Sequence, residues 1–329
     1  MVNSNVLKES YVTTKTSDLL KVEFTPDIVV DLLPEWKGED VTVSVLSGGI
    51  TNKLYRAYCS KGDVAIRVYG DKTEMFIDRD REYKALTRMA EAKITTRPVA
   101  YLPDKHVTIV EFLTGAYTLK NEDFVREEMW DLIVDPIRRI HTSGAELDYI
   151  FNPYEQCMKL GSILDGLNVD YPEFDIKGVF ISLKKLNEAI DIPKSDYVLT
   201  HNDLLADNFI QVTEDSRNKF EMPMYIIDWE YAAMGPKYYD LSDMFQEILV
   251  PRRVEKKLVE HYCEGSNVEE TLFYVDMFRP YPDIFWFLWS LIQNNVSSID
   301  FDFYNYGKVK YENTLRNIEF LKKEYGVKL

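Results

Sequence analysis

Cysteine is scarce in this 329-residue chain: Cys59, Cys157 and Cys263 stand far apart, with no CxxC pair and no histidine cluster beside them. That argues against a disulfide framework or a zinc site and leaves buried free thiols as the expectation. Long apolar runs are missing too. No stretch of roughly 18 apolar residues occurs, and no apolar segment follows a basic one at the N-terminus. The sequence therefore reads as a cytoplasmic protein with no membrane insertion. Positive charge is in deficit, with 39 Lys and Arg against 55 Asp and Glu and a formal net charge of −16. Such a surface repels a phosphate backbone or an anionic bilayer, so nucleic acid is not an expected partner. The chain also has no Walker P-loop and lacks the full glycine pattern of protein kinases.

What is present is an ordinary globular composition, 46% hydrophobic, long enough for a substantial core in two lobes or domains. Val41 to Ser47, Lys53 to Ser60 and Val64 to Tyr69 carry β-branched and aromatic residues between the turn signals Ser47-Gly48-Gly49 and Lys61-Gly62-Asp63. From Asp78 the period becomes helical, with Tyr83, Leu86, Met89 and Ala90 on one face and acids near its start. Strand character returns at Arg97 to Tyr101 and Val107 to Phe112. Beyond Leu113 the patterns are mostly helical, including Asp123 to Thr142, Pro153 to Leu167 and Lys177 to Ile190.

Two strings carry chemistry. In His201-Asn202-Asp203, the Asp203 carboxylate can orient or accept a hydroxyl proton, and Asn208, five residues on, can offer an amide oxygen to Mg²⁺. A polar loop with one capping Asp would account for this string alone. The apolar run Met224 to Ile227, however, ends at Asp228, 25 positions after Asp203, where a carboxylate at a strand end can chelate the metal that bridges phosphate oxygens. Order and spacing together point to phosphoryl transfer.

The remaining nucleotide-site candidates follow from position. The turn containing Ser47, Gly48, Gly49, Thr51 and Asn52 could face phosphates or simply close a hairpin. Arg67 occupies the strand position where kinases place a phosphate-contacting cation, and Glu82 on the next helix could pair with it. Glu111, Phe112 and Leu113, at the lobe crossing, could offer backbone groups to an adenine edge. Downstream, Phe285 to Ser290 holds Trp286 and Trp289 at i, i+3, a spacing that suits core packing as well as ring contact with a cation.

These segments resemble the choline/ethanolamine kinase family, a relative of aminoglycoside phosphotransferases and protein kinases, from about Val45 to about Tyr306. The likeness is carried by Ser47 to Asn52, by Ile66 to Gly70 with Lys72 to Glu74 and Asp78-Arg79, and by His201 to Asn208. It continues through Ile227 to Tyr231 with Asp240, and through Phe285 to Gln293 with Ser297 to Phe301. It implies an α+β, protein-kinase-like two-lobed fold, with a small antiparallel-sheet N-lobe and a larger, mainly helical C-lobe. The division placed on it is 1–112 for nucleotide binding, with a helical extension over about 1–40, and 113–329 for the catalytic loop and amino-alcohol pocket.

The implied activity is transfer of the ATP γ-phosphoryl group to the hydroxyl of choline or ethanolamine with Mg²⁺, opening phosphatidylcholine or phosphatidylethanolamine synthesis. On that resemblance Asp203 is the catalytic base, Asn208 and Asp228 are metal ligands, and Arg67 contacts phosphate. Asp203, Glu230, Tyr231, Glu247, Trp286, Trp289 and Tyr306 form the substrate set. Dimers are common in the family, which adds a homodimer to the expectations. Three departures touch the substrate side: Trp229 where Phe is common, Gly235 where Asn is common, and Asp243 where Asn is frequent. A related kinase acting on an aminoglycoside, thiamine or another amine is the alternative enzyme. An inactive nucleotide-binding pseudokinase is a further alternative, against which Asp203, Asn208 and Asp228 all stand intact.

Overall fold

The computed structural model describes residues 18–20, 22–46, 52–70, 73, 77–297 and 299–329. They group into two compact units, one formed by the chain to Leu119 with Asp207–Tyr231, the other by Lys120–Ala206 with Ala232–Leu329.

In the first unit, β1 (Thr42–Leu46), β2 (Lys53–Cys59), β3 (Gly62–Val68), β4 (Pro98–Leu102) and β5 (Val107–Glu111) form one antiparallel sheet in the order β1-β2-β3-β5-β4. Period-2 alternation decides which side chains go inward. Val64, Ile66 and Val68 of β3 are buried, and they share one apolar cluster with Val107, Ile109 and with Val29, Leu32, Leu33 and Trp36 from the segment around helix α1 (Pro26–Leu32). Residues 1–17 of the expected N-terminal extension lie outside the described residues. Arg67 belongs to the other face of β3. Helix α2 (Arg79–Glu91) starts where Asp78 accepts the Arg81 N–H at 3.2 Å, a cap worth about 1 kcal/mol. A second sheet, β6-β8-β9, joins Ala116–Thr118 (β6) to Phe209–Val212 (β8) and Met224–Ile226 (β9), so two distant stretches of chain complete this unit.

The second unit is mainly helical: α3 (Trp130–Thr142), α4 (Pro153–Gly166), α5 (Ile176–Ala189), α6 (Lys237–Ile248), α7 (Arg252–Tyr262), α8 (Val268–Phe278), α9 (Pro280–Val296) and α10 (Phe303–Tyr325). Strands β7 (Tyr197–Thr200) and β10 (Ala233–Pro236) pair antiparallel beside them. The helix expected from Asp123 begins only at Trp130. Asp123 instead accepts the Lys120 N–H at 2.9 Å and closes a 3-10 turn, and the extended backbone at Arg126 breaks the run. Helix α9 is buried from Pro280 to Gln293 and packs on α10, α4 and α6, which accounts for its apolar character all round. Among the described residues, no helix is long and apolar enough to cross a membrane. The three cysteines are free, with Cys157 buried and the other two half-buried. A small antiparallel-sheet lobe with a larger helical one is the α+β, protein-kinase-like class expected from the sequence.

Candidate active site

In the first unit the site is built on the face of β3 that turns away from the apolar cluster. Arg67 reaches from that strand to Glu82 of α2 at 2.7 Å, to Asp228 just beyond β9 at 2.9 Å, and toward Glu230 at 3.7 Å. Arg79, in the first turn of α2, binds the other oxygen of Glu82 at 2.6 Å, Glu230 at 3.2 Å and the Thr73 hydroxyl at 2.9 Å. Its guanidinium lies 4.1 Å from the Tyr69 ring centroid. Burial alone would lower the Arg67 pKa, but Asp228, Glu82 and Glu230 outweigh it and raise it. Glu230 is pushed up to about 7, chiefly by burial and then by Asp228, against the pull of Arg79 and Arg67.

Asn208 and Asp228 meet at one end of the β8–β9 pair. The Asn208 carbonyl accepts the Ile227 N–H at 3.0 Å, directly before Asp228, whose φ of +70° is unusual for a residue with a side chain. Carboxylate oxygens of Glu82, Asp228 and Glu230 lie within 4.8 Å of one another. Arg79 pairs with Glu82 and Glu230, while Arg67 pairs with Glu82 and Asp228. A divalent cation would have to share the Asp228 carboxylate with Arg67 and could add the Asn208 amide, hard oxygen donors that suit magnesium or calcium rather than a thiophilic metal.

At the crossing segment the Glu111 N–H donates to the Arg97 carbonyl at 2.9 Å and the Phe112 N–H to the Asp63 carbonyl at 3.0 Å. Asn52, directly before β2, accepts the Gly70 N–H at 3.1 Å. Ser47, Gly48, Gly49 and Thr51 lie outside the described residues.

In the second unit the loop after β7 is clamped by helix α6. Asp240 accepts the N–H groups of His201 at 2.8 Å and Asn202 at 2.7 Å, and Asp243, one turn on, accepts that of Leu204 at 2.7 Å. Asp203 is thereby held between fixed neighbours and is 8% exposed. His141 of α3 reaches Asp240 through Nε2 at 2.9 Å and the Tyr262 hydroxyl through Nδ1 at 2.7 Å. A carboxylate can only accept, so Nε2 donates to Asp240, and in the neutral imidazole Nδ1 is then the acceptor for the tyrosine O–H. Asp243 is driven well above the usual carboxylate range by burial and by Glu247, toward the neutral form.

Glu247, Trp286, Trp289 and Tyr306 also lie in this unit. Trp286 and Trp289 meet edge to face at 5.6 Å, Trp289 meets Phe303 at 5.6 Å, and Tyr306 meets Phe301 at 5.8 Å. The Tyr306 phenol is raised well above its ordinary value by burial, followed by Glu247, Asp203, Asp283 and Asp243. This places the catalytic-loop carboxylate in the electrostatic neighbourhood of the acid and the ring expected to hold a cation. Glu230 and Tyr231, expected in the same substrate set, belong to the first unit, where Glu230 is taken up by Arg79 and Arg67.

Sequence reasoning left out His141 and Lys310 and named Arg79 only within a segment of the resemblance, with no role. His141 carries no local signal because its partners lie 99 and 121 positions away, and Arg79, besides its neighbours Glu82 and Thr73, bonds Glu230 151 positions away. Lys310 had one: it shares the buried stripe of α10 with Phe303, Gly307, Tyr311 and Thr314, and a charge on such a stripe needs a partner.

Comparison with known proteins accords with this arrangement. Residues 43–262 match the family model described as choline/ethanolamine kinase. Ethanolamine kinase 1 of Mus musculus is 29% identical over 320 residues, covering 85% of this chain and 85% of the mouse protein. The solved structure of an ethanolamine kinase from Plasmodium vivax superposes with a TM-score of 0.76 at 21% identity, covering 95% of this chain and 94% of that one. A choline kinase from Streptococcus pneumoniae gives 0.75 at 22% identity, covering 89% and 98%. The family match spans well over half of the sequence, so the chain belongs to the choline/ethanolamine kinase family and is an enzyme, a phosphotransferase of that class.

Proposed function

We propose that the enzyme transfers the γ-phosphoryl group of ATP, with Mg²⁺, to the hydroxyl of ethanolamine, choline or both, as the entry step to the corresponding phospholipids. The observation that carries this reading is the clamp on the loop after β7: Asp240 and Asp243 of α6 fix the loop that bears Asp203, and the same helix carries Glu247, which bonds the Lys310 ammonium near the Tyr306 ring. One carboxylate can then address an alcohol while another and a ring address an ammonium. Asp203 is assigned as the base and Asn208 and Asp228 as the metal ligands. Arg67, held by Glu82, is the phosphate contact. Glu111 and Phe112 have committed their N–H groups, and the Phe112 carbonyl accepts the Thr114 N–H, so the adenine edge falls to the Glu111 carbonyl and to Leu113. Ser47, Gly48, Gly49, Thr51 and Asn52 complete the nucleotide side of 1–112, and 113–329 supplies catalysis and the pocket. Trp286, Trp289 and Tyr306 provide ring faces, each desolvated cation–π contact contributing up to about 2 kcal/mol. Tyr231 lines the substrate side, and Glu230 is the counter-charge that sets the two arginines. A cytoplasmic setting and a homodimer belong to the same proposal.

The test is a substrate panel of ethanolamine, its mono- and dimethyl forms and choline, read as ADP release. Methylation removes N–H donors while leaving the reacting hydroxyl alone. Turnover should require one of these amines and fall by about 10²–10⁴-fold in Asp203→Ala. Turnover on an aminoglycoside or thiamine and on none of the panel would replace the proposal, and nucleotide binding without any turnover would point to the pseudokinase.

A further inference from the structure

Glu247, expected to face a substrate cation, already holds one. Its Oε1 accepts from the Lys310 ammonium at 2.5 Å, and the same nitrogen lies 3.7 Å from Asp283 Oδ1 and 5.7 Å from the Tyr306 ring centroid. The Lys310 side chain is 7% exposed, Glu247 14% and Asp283 0%. Three helices meet at this nitrogen: α6 through Glu247, α9 through Asp283, and α10, which bears Lys310 and Tyr306 one turn apart. Helix α9 also carries Trp286 and Trp289, one and two turns beyond Asp283.

We infer that Lys310 is a positioning and specificity residue of the amino-alcohol pocket: its ammonium fixes the Glu247 carboxylate beside Tyr306 and ties α6 to α9 and α10, so that a substrate ammonium meets an oriented acceptor. This rests on the amino-alcohol reading above. Glu247 keeps Oε2 outside the bond to Lys310, and a carboxylate bridging two ammonium groups is a fixed acceptor rather than a rotating one. Without the lysine, Glu247 would be left beside the acids Asp243 on α6 and Asp283 on α9 and the phenol of Tyr306 on α10. With no cation among them, nothing would orient its carboxylate toward a substrate ammonium.

The experiment is steady-state kinetics of the full-length enzyme with ethanolamine, choline and ATP varied in turn. Lys310→Met should raise the amino-alcohol KM by about tenfold or more while the ATP KM stays within about twofold. Lys310→Arg should restore most of the loss, and Glu247→Gln combined with Lys310→Met should cost no more than either change alone. If Lys310→Met does not fold, Lys310→Gln, which retains a donor, is measured in its place with Glu247→Gln as the partner arm. An unchanged amino-alcohol KM, or a loss confined to thermal stability, overturns the inference. A wild type that turns over neither amine refutes the underlying substrate reading instead, and the two failures are told apart before any variant is made.

Discussion

Asp240 and Asp243 lie one turn apart on α6, both fully buried, yet the structure gives them different tasks. Asp240 satisfies three donors at once, those of His141, His201 and Asn202, and its removal would strand all three without water. Asp240→Ala should cost about 3–5 kcal/mol of stability and abolish turnover, read by thermal unfolding and ADP release. Asp243 accepts a single N–H and is held toward its neutral form, so Asp243→Asn keeps the acceptor and changes little. Stability should stay within about 0.5 kcal/mol of wild type, with turnover preserved. A large loss in Asp243→Asn would mean that the ionised acid is needed after all. At this scale the sequence singled out residues that their neighbours in the chain make conspicuous, such as Asp203, Asn208 and Asp228. It concealed those whose partners are far away: 99 positions separate His141 from Asp240 and 63 separate Lys310 from Glu247.

Helix α2 shows what one element can reveal and hide. Its start was legible because Asp78 caps it and acids occupy the first turn, and the Arg67–Glu82 pair follows once β3 and α2 are neighbours. Arg79 was harder to read, since a cation in the first turn sits at the wrong end of the helix dipole. Its place is justified by Glu82 on the same helix and by Glu230, Thr73 and the Tyr69 ring outside it. Arg79→Met should leave Glu82 and Glu230 sharing Arg67 alone and raise the ATP KM about tenfold, with the amino-alcohol KM unaffected. Arg79→Lys should recover only part of this, because one ammonium cannot bridge both acids, bind Thr73 and stack on Tyr69 together. Equal ATP KM values in all three proteins would remove Arg79 from the nucleotide site. Other elements were invisible for simpler reasons. β6 is three residues long, and β10 reads Ala-Met-Gly-Pro, whose Gly and Pro signal a loop although Pro is tolerated in a strand with an open edge.

For the molecule as a whole, the excess of acid seen in the composition has a buried counterpart. Asp283 is pushed up to about 7 by burial and, to a lesser degree, by Glu247, against the pull of Lys310. Glu230 reaches about 7, and Asp243 is raised as well. A carboxyl whose pKa is higher in the folded chain than in the unfolded one binds its proton more tightly when folded. Its contribution is therefore complete below the unfolded value near 4 and is lost as pH rises toward about 7. Between pH 6 and pH 8, each group titrating near 7 in the fold and near 4 when unfolded removes about 1.4 kcal/mol of stability. Without nucleotide or metal, the melting temperature should thus be higher at pH 6 than at pH 8, and Asp283→Asn, which cannot ionise, should flatten the slope. Scanning Tm across that window in both proteins decides the matter. A wild-type Tm that climbs with pH would show that these acids are ionised in the folded protein and fully compensated by Lys310, Arg67 and Arg79.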